Sequence, residues 1–160
     1  MIDCKPDTLG VIGYSPSTGK FFCLKGKRRG QELGSVGDGG YVRLSYRGKQ
    51  VAAHHLAWRI MTGRWPEQEI DHINRVRHDN RFENLRLATR SENSQNGPKK
   101  STNTSGFKGV HWHKRSRAWV ARIMVERDEI HLGSFRTREE AYAAYVAAAK
   151  EFHGEFHCLD

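Results

Sequence analysis

Apolar and polar positions change rhythm several times along the chain. Between Val11 and Cys23, "VIGYSPSTGKFFC" places two short apolar runs around a Ser/Thr/Gly turn, which predicts two strands. "YVRLSY" alternates at period two, and "RGK" turns it back into "QVAAHH". From about Ala52 the period becomes helical. Leu56, Ile60 and Met61 fall along one face, and Gly63 can close the helix. "RWPEQ" is a loop, because Trp65 precedes Pro66 and is biased away from helix. "EIDHI" and "LRLAT" read as short strands on either side of the irregular "NRVRHDNRFEN". Thr89, with Glu92 three residues on, is a capping-box start for another helix.

Residues 97–105 have the composition of a linker. Beyond them "FKGVHWH", "AWVARIMVE" and "IHLGSF" are three β-rich runs separated by polar turns. "TREEAYAAYVAAAKEFHG" is then a helix, with a capping box at Thr137 and Glu140 and Gly154 past its end. Ala141, Ala144 and Ala148 form a small-residue stripe suited to close packing on a sheet, with Tyr145 and Phe152 near it. The expected class is α+β. Residues 1–96 form a first domain with a β-rich N-terminal extension, and residues 106–160 a three-stranded antiparallel sheet crossed by one helix.

Composition narrows the function. With 27 Lys and Arg against 18 Asp and Glu, the net charge of +9 suggests a polyanionic partner. No apolar run is long enough to span a bilayer, and "MIDCKPDTLG" lacks the apolar core of a secretory signal. Cys4, Cys23 and Cys158 are scattered and form no C-x-x-C, which points to reduced thiols in a cytoplasm rather than to a zinc ribbon or disulfide framework. Hydrophobic residues make up 37% of the chain, which fits two small cores better than one large one.

The chemistry concentrates in the first domain. Asp71 and His72 are adjacent on a strand, Asn84 ends the following loop, and Asn93 lies about one turn into the next helix. Asp71 offers a hard anionic oxygen and Asn93 a neutral one. Such a sparse set suits one Mg²⁺, with Mn²⁺ as the substitute, better than Zn²⁺. His72 has an imidazole suited to general-base work, and Asn84 could fix its tautomer through the other ring nitrogen. Arg75, Arg77 and Arg81 are candidate phosphate contacts. His54 and His55 read as packing or phosphate-facing helix residues rather than ligands, and His78 as a loop or DNA-facing side chain. The competing reading of the same stretch is a solvated, charged loop.

The run "HHLAWRIMTGRWPEQEIDHINRVRHDNRFENLRLATRSENSQN" resembles the HNH endonucleases of bacteriophages and mobile introns, over about Gly39 to Asn96. The resemblance rests on His-x-x-Ala-Trp, Trp-Pro, Asp-His, Asp-Asn-Arg, Glu-Asn-Leu-Arg and Ser-Glu-Asn in order. It implies a ββα-metal nuclease unit in which Asp71 and Asn93 hold the metal, His72 is the base and Asn84 orients it. Family members often have Gly where this chain has Arg75, and His-Arg where it has His54-His55.

"SGFKGVHWHKRSRAWVARIMVERDEIHLGSFRTREEAYAAYVAAAKEFHGEF" resembles the ethylene-response-factor, or APETALA-type, DNA-binding domain. That resemblance implies a sheet laid in the major groove, with Lys108, His111, His113, Lys114, Arg115, Arg117 and Arg122 as contacts. Charge agrees: residues 99–127 carry eight Lys and Arg against the acid Glu126, whereas residues 137–160 carry two against five acids. Plant members have Arg where this chain has His111 and Trp where it has His131. Trp119 is assigned to the core.

The expected function is a metal-dependent, site-directed DNA endonuclease that nicks duplex DNA in a host cytoplasm, as a monomer or a DNA-assembled dimer, with no small-molecule substrate and no membrane partner. The alternative is a non-catalytic DNA-binding regulator built on a decayed nuclease unit. RNA binding is a third class, though no RNA-recognition or KH signature is present.

Overall fold

The computed structural model describes residues 3–99 and 101–157. The fold is α+β, in two compact units, one ending at Thr89 and the other beginning at Arg90. Cys4 and Cys23 are free thiols, and Cys158 lies outside the described residues. Among the described residues no helix is long and apolar enough to cross a membrane.

The first unit begins with an antiparallel sheet of β1 (Lys5–Pro6), β2 (Ile12–Ser15), β3 (Lys20–Cys23) and β4 (Glu32–Leu33). A second sheet joins β5 (Ser35–Val36), β6 (Val42–Tyr46) and β7 (Lys49–Ala52). The alternation in β6 is real: Leu44 and Tyr46 are buried while Arg43 and Ser45 are exposed. Arg47 and Gly48, at φ 51° and 75°, make the tight turn that matches strand twist. Helix α1 (Ala53–Thr62) follows and ends on Gly63, whose φ of 81° is the left-handed C-terminal cap. The unit closes with the hairpin of β8 (Glu69–His72) and β9 (Leu85–Ala88). Tyr14, Phe21, Leu44, Tyr46, Leu56, Ala57, Ile70 and Leu85 belong to one buried cluster, so the two sheets, α1 and the hairpin share a core.

The second unit starts with α2 (Arg90–Asn96), directly after Thr89. The sequence boundary at residue 96 thus lies one short helix beyond the point where contacts divide the chain. β10 (Val110–His113), β11 (Ala118–Val125) and β12 (Asp128–Phe135) form an antiparallel meander with an irregularity between Ala121 and Arg122. Helix α3 (Arg138–His153) covers one face and buries Ala141, Tyr145, Ala148 and Ala149 against Val110, Ala121 and Ile123. Its start carries the expected capping box: the Glu140 amide donates to the Thr137 hydroxyl at 3.2 Å, and the Glu140 carboxylate accepts from the Thr137 amide at 3.2 Å. Trp119 packs with this core. Phe152, in the last turn of α3, is 45% exposed.

Gly109 enters β10 at φ 72°, and a Cβ there would fall 2.1 Å from the Tyr145 ring and 2.7 Å from the Arg122 carbonyl oxygen. Both backbone strain and overpacking oppose any side chain. Gly109→Ala is expected to destabilise the chain by about 2–4 kcal/mol, against about 1 kcal/mol for Thr137→Ala. Urea unfolding followed by circular dichroism checks that order, and equal midpoints for the two variants would refute it.

Candidate functional site

The β8–β9 register pairs Asp71 with Arg86 and His72 with Leu85, without a bulge. Adjacent strand residues face opposite sides, so Asp71 and His72 do not share a face. Both are nevertheless buried, at 5% and 4% exposure. Each therefore needs its own polar partner. Asp71 finds Arg86 directly across the hairpin: Oδ2 accepts from Nε at 2.9 Å, and Nη2 lies 2.8 Å away. Arg86 was not singled out in the sequence, although aligning "EIDH" antiparallel to "LRLA" places it opposite Asp71.

His72 faces the core side. Its Nε2 lies 3.3 Å from Oδ1 of Asn80, which is 2% exposed. Its ring meets His54 edge-on at 5.1 Å and Tyr41 at 5.9 Å between centroids. Burial lowers the His72 pKa below the ordinary histidine value, opposed by the Asn80 hydrogen bond and the carboxylates of Asp71 and Asp79. A neutral imidazole is the form a general base requires.

Asn84 does not reach the imidazole. Its Oδ1 accepts from the Asn74 amide at 2.9 Å, and its Nδ2 donates to Asn74 Oδ1 at 2.9 Å and to the Asp79 carbonyl at 2.8 Å. The expected contact with His72 is replaced by a knot that closes the loop between the strands. Asn80 occupies the position beside the ring. Asn80 is the middle residue of the Asp-Asn-Arg run. Asn93 sits half-buried within α2, in the second unit.

The loop arginines divide. Arg75 and Arg77 are exposed. Arg75 takes φ 63°, a left-handed position at the site where family members often carry Gly. Arg77 donates to the Gly39 carbonyl at 3.0 Å and lies over Tyr41. Arg81, the third candidate phosphate contact, is engaged within the loop. Its guanidinium grips Asp79 through Nε at 2.9 Å and Nη2 at 2.8 Å, and reaches Glu83 at 2.9 Å. The Arg81 hydrogen bonds hold the Asp79 pKa down to about 2.

In the second unit Lys114, Arg115 and Arg117 are exposed in the β10–β11 turn, beside exposed His113. Strand partners place His111 and Arg122 on the sheet face opposite α3, where Arg122 pairs with Glu129 at 2.6 Å. Lys108, another expected DNA contact, is engaged locally. Its ammonium donates to the carbonyls of Gln95 and Gly97, each at 2.6 Å, where a cation offsets the C-terminal end of α2.

His54 is 7% exposed, and its buried Nδ1 has no hydrogen-bond partner among the described residues. Burial first, then His55 and His72, drives its pKa down to about 3. Between about pH 6.5 and 3 the unfolded chain therefore binds a proton that the folded chain refuses, and stability falls as pH falls. His54→Phe is expected to flatten this slope by up to ~1.4 kcal/mol per pH unit. Urea midpoints at pH 7.5 and 5.0 for both proteins measure it, and parallel losses would refute it.

Three comparisons with known proteins bear on this site. A family model described as "HNH endonuclease" matches residues 51–95, which run from β7 through the hairpin to α2. Protein 3.8 of Escherichia phage T7 is 33% identical over 120 residues, covering 72% of this chain and 97% of that protein. A solved structure titled "DNA binding and cleavage by the HNH homing endonuclease I-HmuI" aligns at 19% identity and a TM-score of 0.48, covering 92% of this chain and 82% of the other. The matched segment holds Asp71, His72, Asn84 and Asn93, and the T7 relative extends the likeness over most of the chain: the chain belongs to the HNH endonuclease family.

Proposed function

We propose that this protein is a divalent-metal-dependent DNA endonuclease that nicks one strand per protomer, with the second unit binding duplex DNA in the major groove. The observation that carries this reading is the pair of buried functional groups at the end of β8. A carboxylate and a neutral imidazole are both held there by dedicated partners, beside a loop that exposes arginines. A buried histidine whose pKa is lowered by desolvation, beside a buried carboxylate with its own charge partner, is a functional-site candidate.

The donor set fits a hydrated Mg²⁺ or Mn²⁺. Asp71 offers a hard oxygen, and among the described residues no three His, Cys, Asp or Glu side chains form a cage of the kind Zn²⁺ prefers. Asp71 would hold the ion, and Asn93 enters as a second oxygen ligand from the motif order alone. When bound, the ion supplies positive charge against the developing charge on the phosphate and the leaving oxygen. His72 removes a proton from the attacking water. The new P–O bond forms from that oxygen as the ester P–O bond opposite breaks. Arg75 and Arg77 contact neighbouring phosphates.

In the second unit, the sheet face bearing His111 and Arg122 and the turn bearing His113, Lys114, Arg115 and Arg117 make the DNA-facing surface. The resemblance to the ethylene-response-factor domain supports this, as does the split between basic sheet and acidic helix. The division of labour is a cutting domain and a positioning domain. The non-catalytic regulator draws support from the Asp71–Arg86 ion pair, which already neutralises the expected ligand.

Supercoiled-plasmid cleavage separates the two readings. Nicked circles are expected with Mg²⁺ or Mn²⁺, none with EDTA, and at least a 10²-fold loss in His72→Ala with DNA affinity retained. Cleavage surviving that change would remove His72 from its role. Duplex binding should weaken steeply with salt. Replacing Lys114 and Arg115 by Ala should make the log K against log[salt] slope shallower by about 0.9 per lost phosphate contact.

A further inference from the structure

We propose that Asn80 is the positioning residue that fixes the tautomer of His72, and that the N-terminal β2–β3 hairpin holds Asn80 in place. This rests on the nuclease reading for its catalytic meaning, but the geometry stands alone. Nδ2 of Asn80 donates to the His78 carbonyl at 3.2 Å, and a carbonyl can only accept. The amide orientation is thereby set, and Oδ1 is the atom turned to His72, 3.3 Å from Nε2. An oxygen acceptor demands a proton on that nitrogen. Neutral His72 is therefore the Nε2–H form, and Nδ1 is its basic nitrogen.

Asn80 is itself gripped from a distant part of the chain. The Tyr14 hydroxyl donates to the Asn80 carbonyl at 2.7 Å across 66 residues of sequence. Tyr14 is fully buried and packs against Phe21, with the ring centroids 4.8 Å apart and the planes tilted by 33°. Burial, then the charge of Asp79, pushes its phenol above the ordinary range, so the hydroxyl remains a donor. The grip continues just C-terminal to Asn80. The Phe82 amide donates to the Pro16 carbonyl at 3.0 Å. A Cβ on Gly19 would lie 2.5 Å from both the Asn80 carbonyl carbon and the Arg81 nitrogen. Tyr14, Pro16 and Gly19 all lie in or beside the β2–β3 turn, outside the segment 51–95 that matches the family model. The N-terminal sheet is thus a working part of the active site and not an appendage to it.

The test reads the His72 ring directly. The full chain, labelled with ¹⁵N-histidine, is examined by long-range ¹H–¹⁵N correlation at a pH where His72 is neutral, alongside Asn80→Ala, Asn80→Asp and Tyr14→Phe. The wild type should show a protonated Nε2 and a bare Nδ1. Asn80→Ala should show a mixture of tautomers, and Asn80→Asp, which keeps an acceptor oxygen, should restore the single form. Tyr14→Phe should fall between them. In plasmid nicking, Asn80→Ala should lower kcat by about 10–100-fold, the range for groups that orient a working histidine or ligand, with KM unchanged. An Nδ1–H form in the wild type, or a signature indifferent to Asn80, overturns the proposal. A tautomer that follows Asn80 in a protein that cuts no DNA sustains the positioning role and removes the nuclease reading instead.

Discussion

The loop between β8 and β9 has to turn back on itself while two ionisable side chains beside it stay out of water, and the Asn84 amide makes that possible. From the far end of the loop, one side chain ties the amide and side-chain oxygen of Asn74, near its start, to the Asp79 carbonyl at its middle. With those points fixed, Asn80 falls next to the imidazole, and Arg81 turns back onto Asp79. The hairpin register then places Arg86 against Asp71 without further help. Buried polar groups cost several kcal/mol when left without partners. The knot therefore decides both whether the site is stable and whether its imidazole is aimed.

Local patterns were readable where local physics decides them. The period-two alternation of Val42 to Tyr46, the Thr137–Glu140 box and the left-handed end of α1 at Gly63 each depend on residues within a few positions. The adjacency of Asp71 and His72 was plain, as was the asparagine-rich loop after them. What could not be read was who partners whom. Arg81 and Lys108 look like free cations in the sequence, but a carboxylate two residues away and an open helix end claim them first. The donor to Asn80 lies in Tyr14, and no short-range signal joins residues that far apart.

The second unit solves a different problem. Its sheet must be apolar toward α3 and polar on the other side, and alanines in α3 let helix and sheet approach closely enough to leave no gap at Gly109. That close approach gathers most of the apolar residues on one face, and the other carries His111 and Arg122 beside Val120 and Met124, next to an exposed basic turn. The Arg122–Glu129 pair shows that this polar face is itself organised.

The grip of residues 14–19 on residues 80–82 sets an order of events as well as a shape. Contacts between distant positions form late, because the intervening chain must first surrender its freedom. During synthesis the N-terminal hairpin emerges long before the loop it will hold. The shaped site can therefore arise only after β8, the loop and β9 have all left the ribosome and met residues 14–19. The site is among the last features of its unit to form, and a chain interrupted before Asn80 carries the clamp with nothing in it.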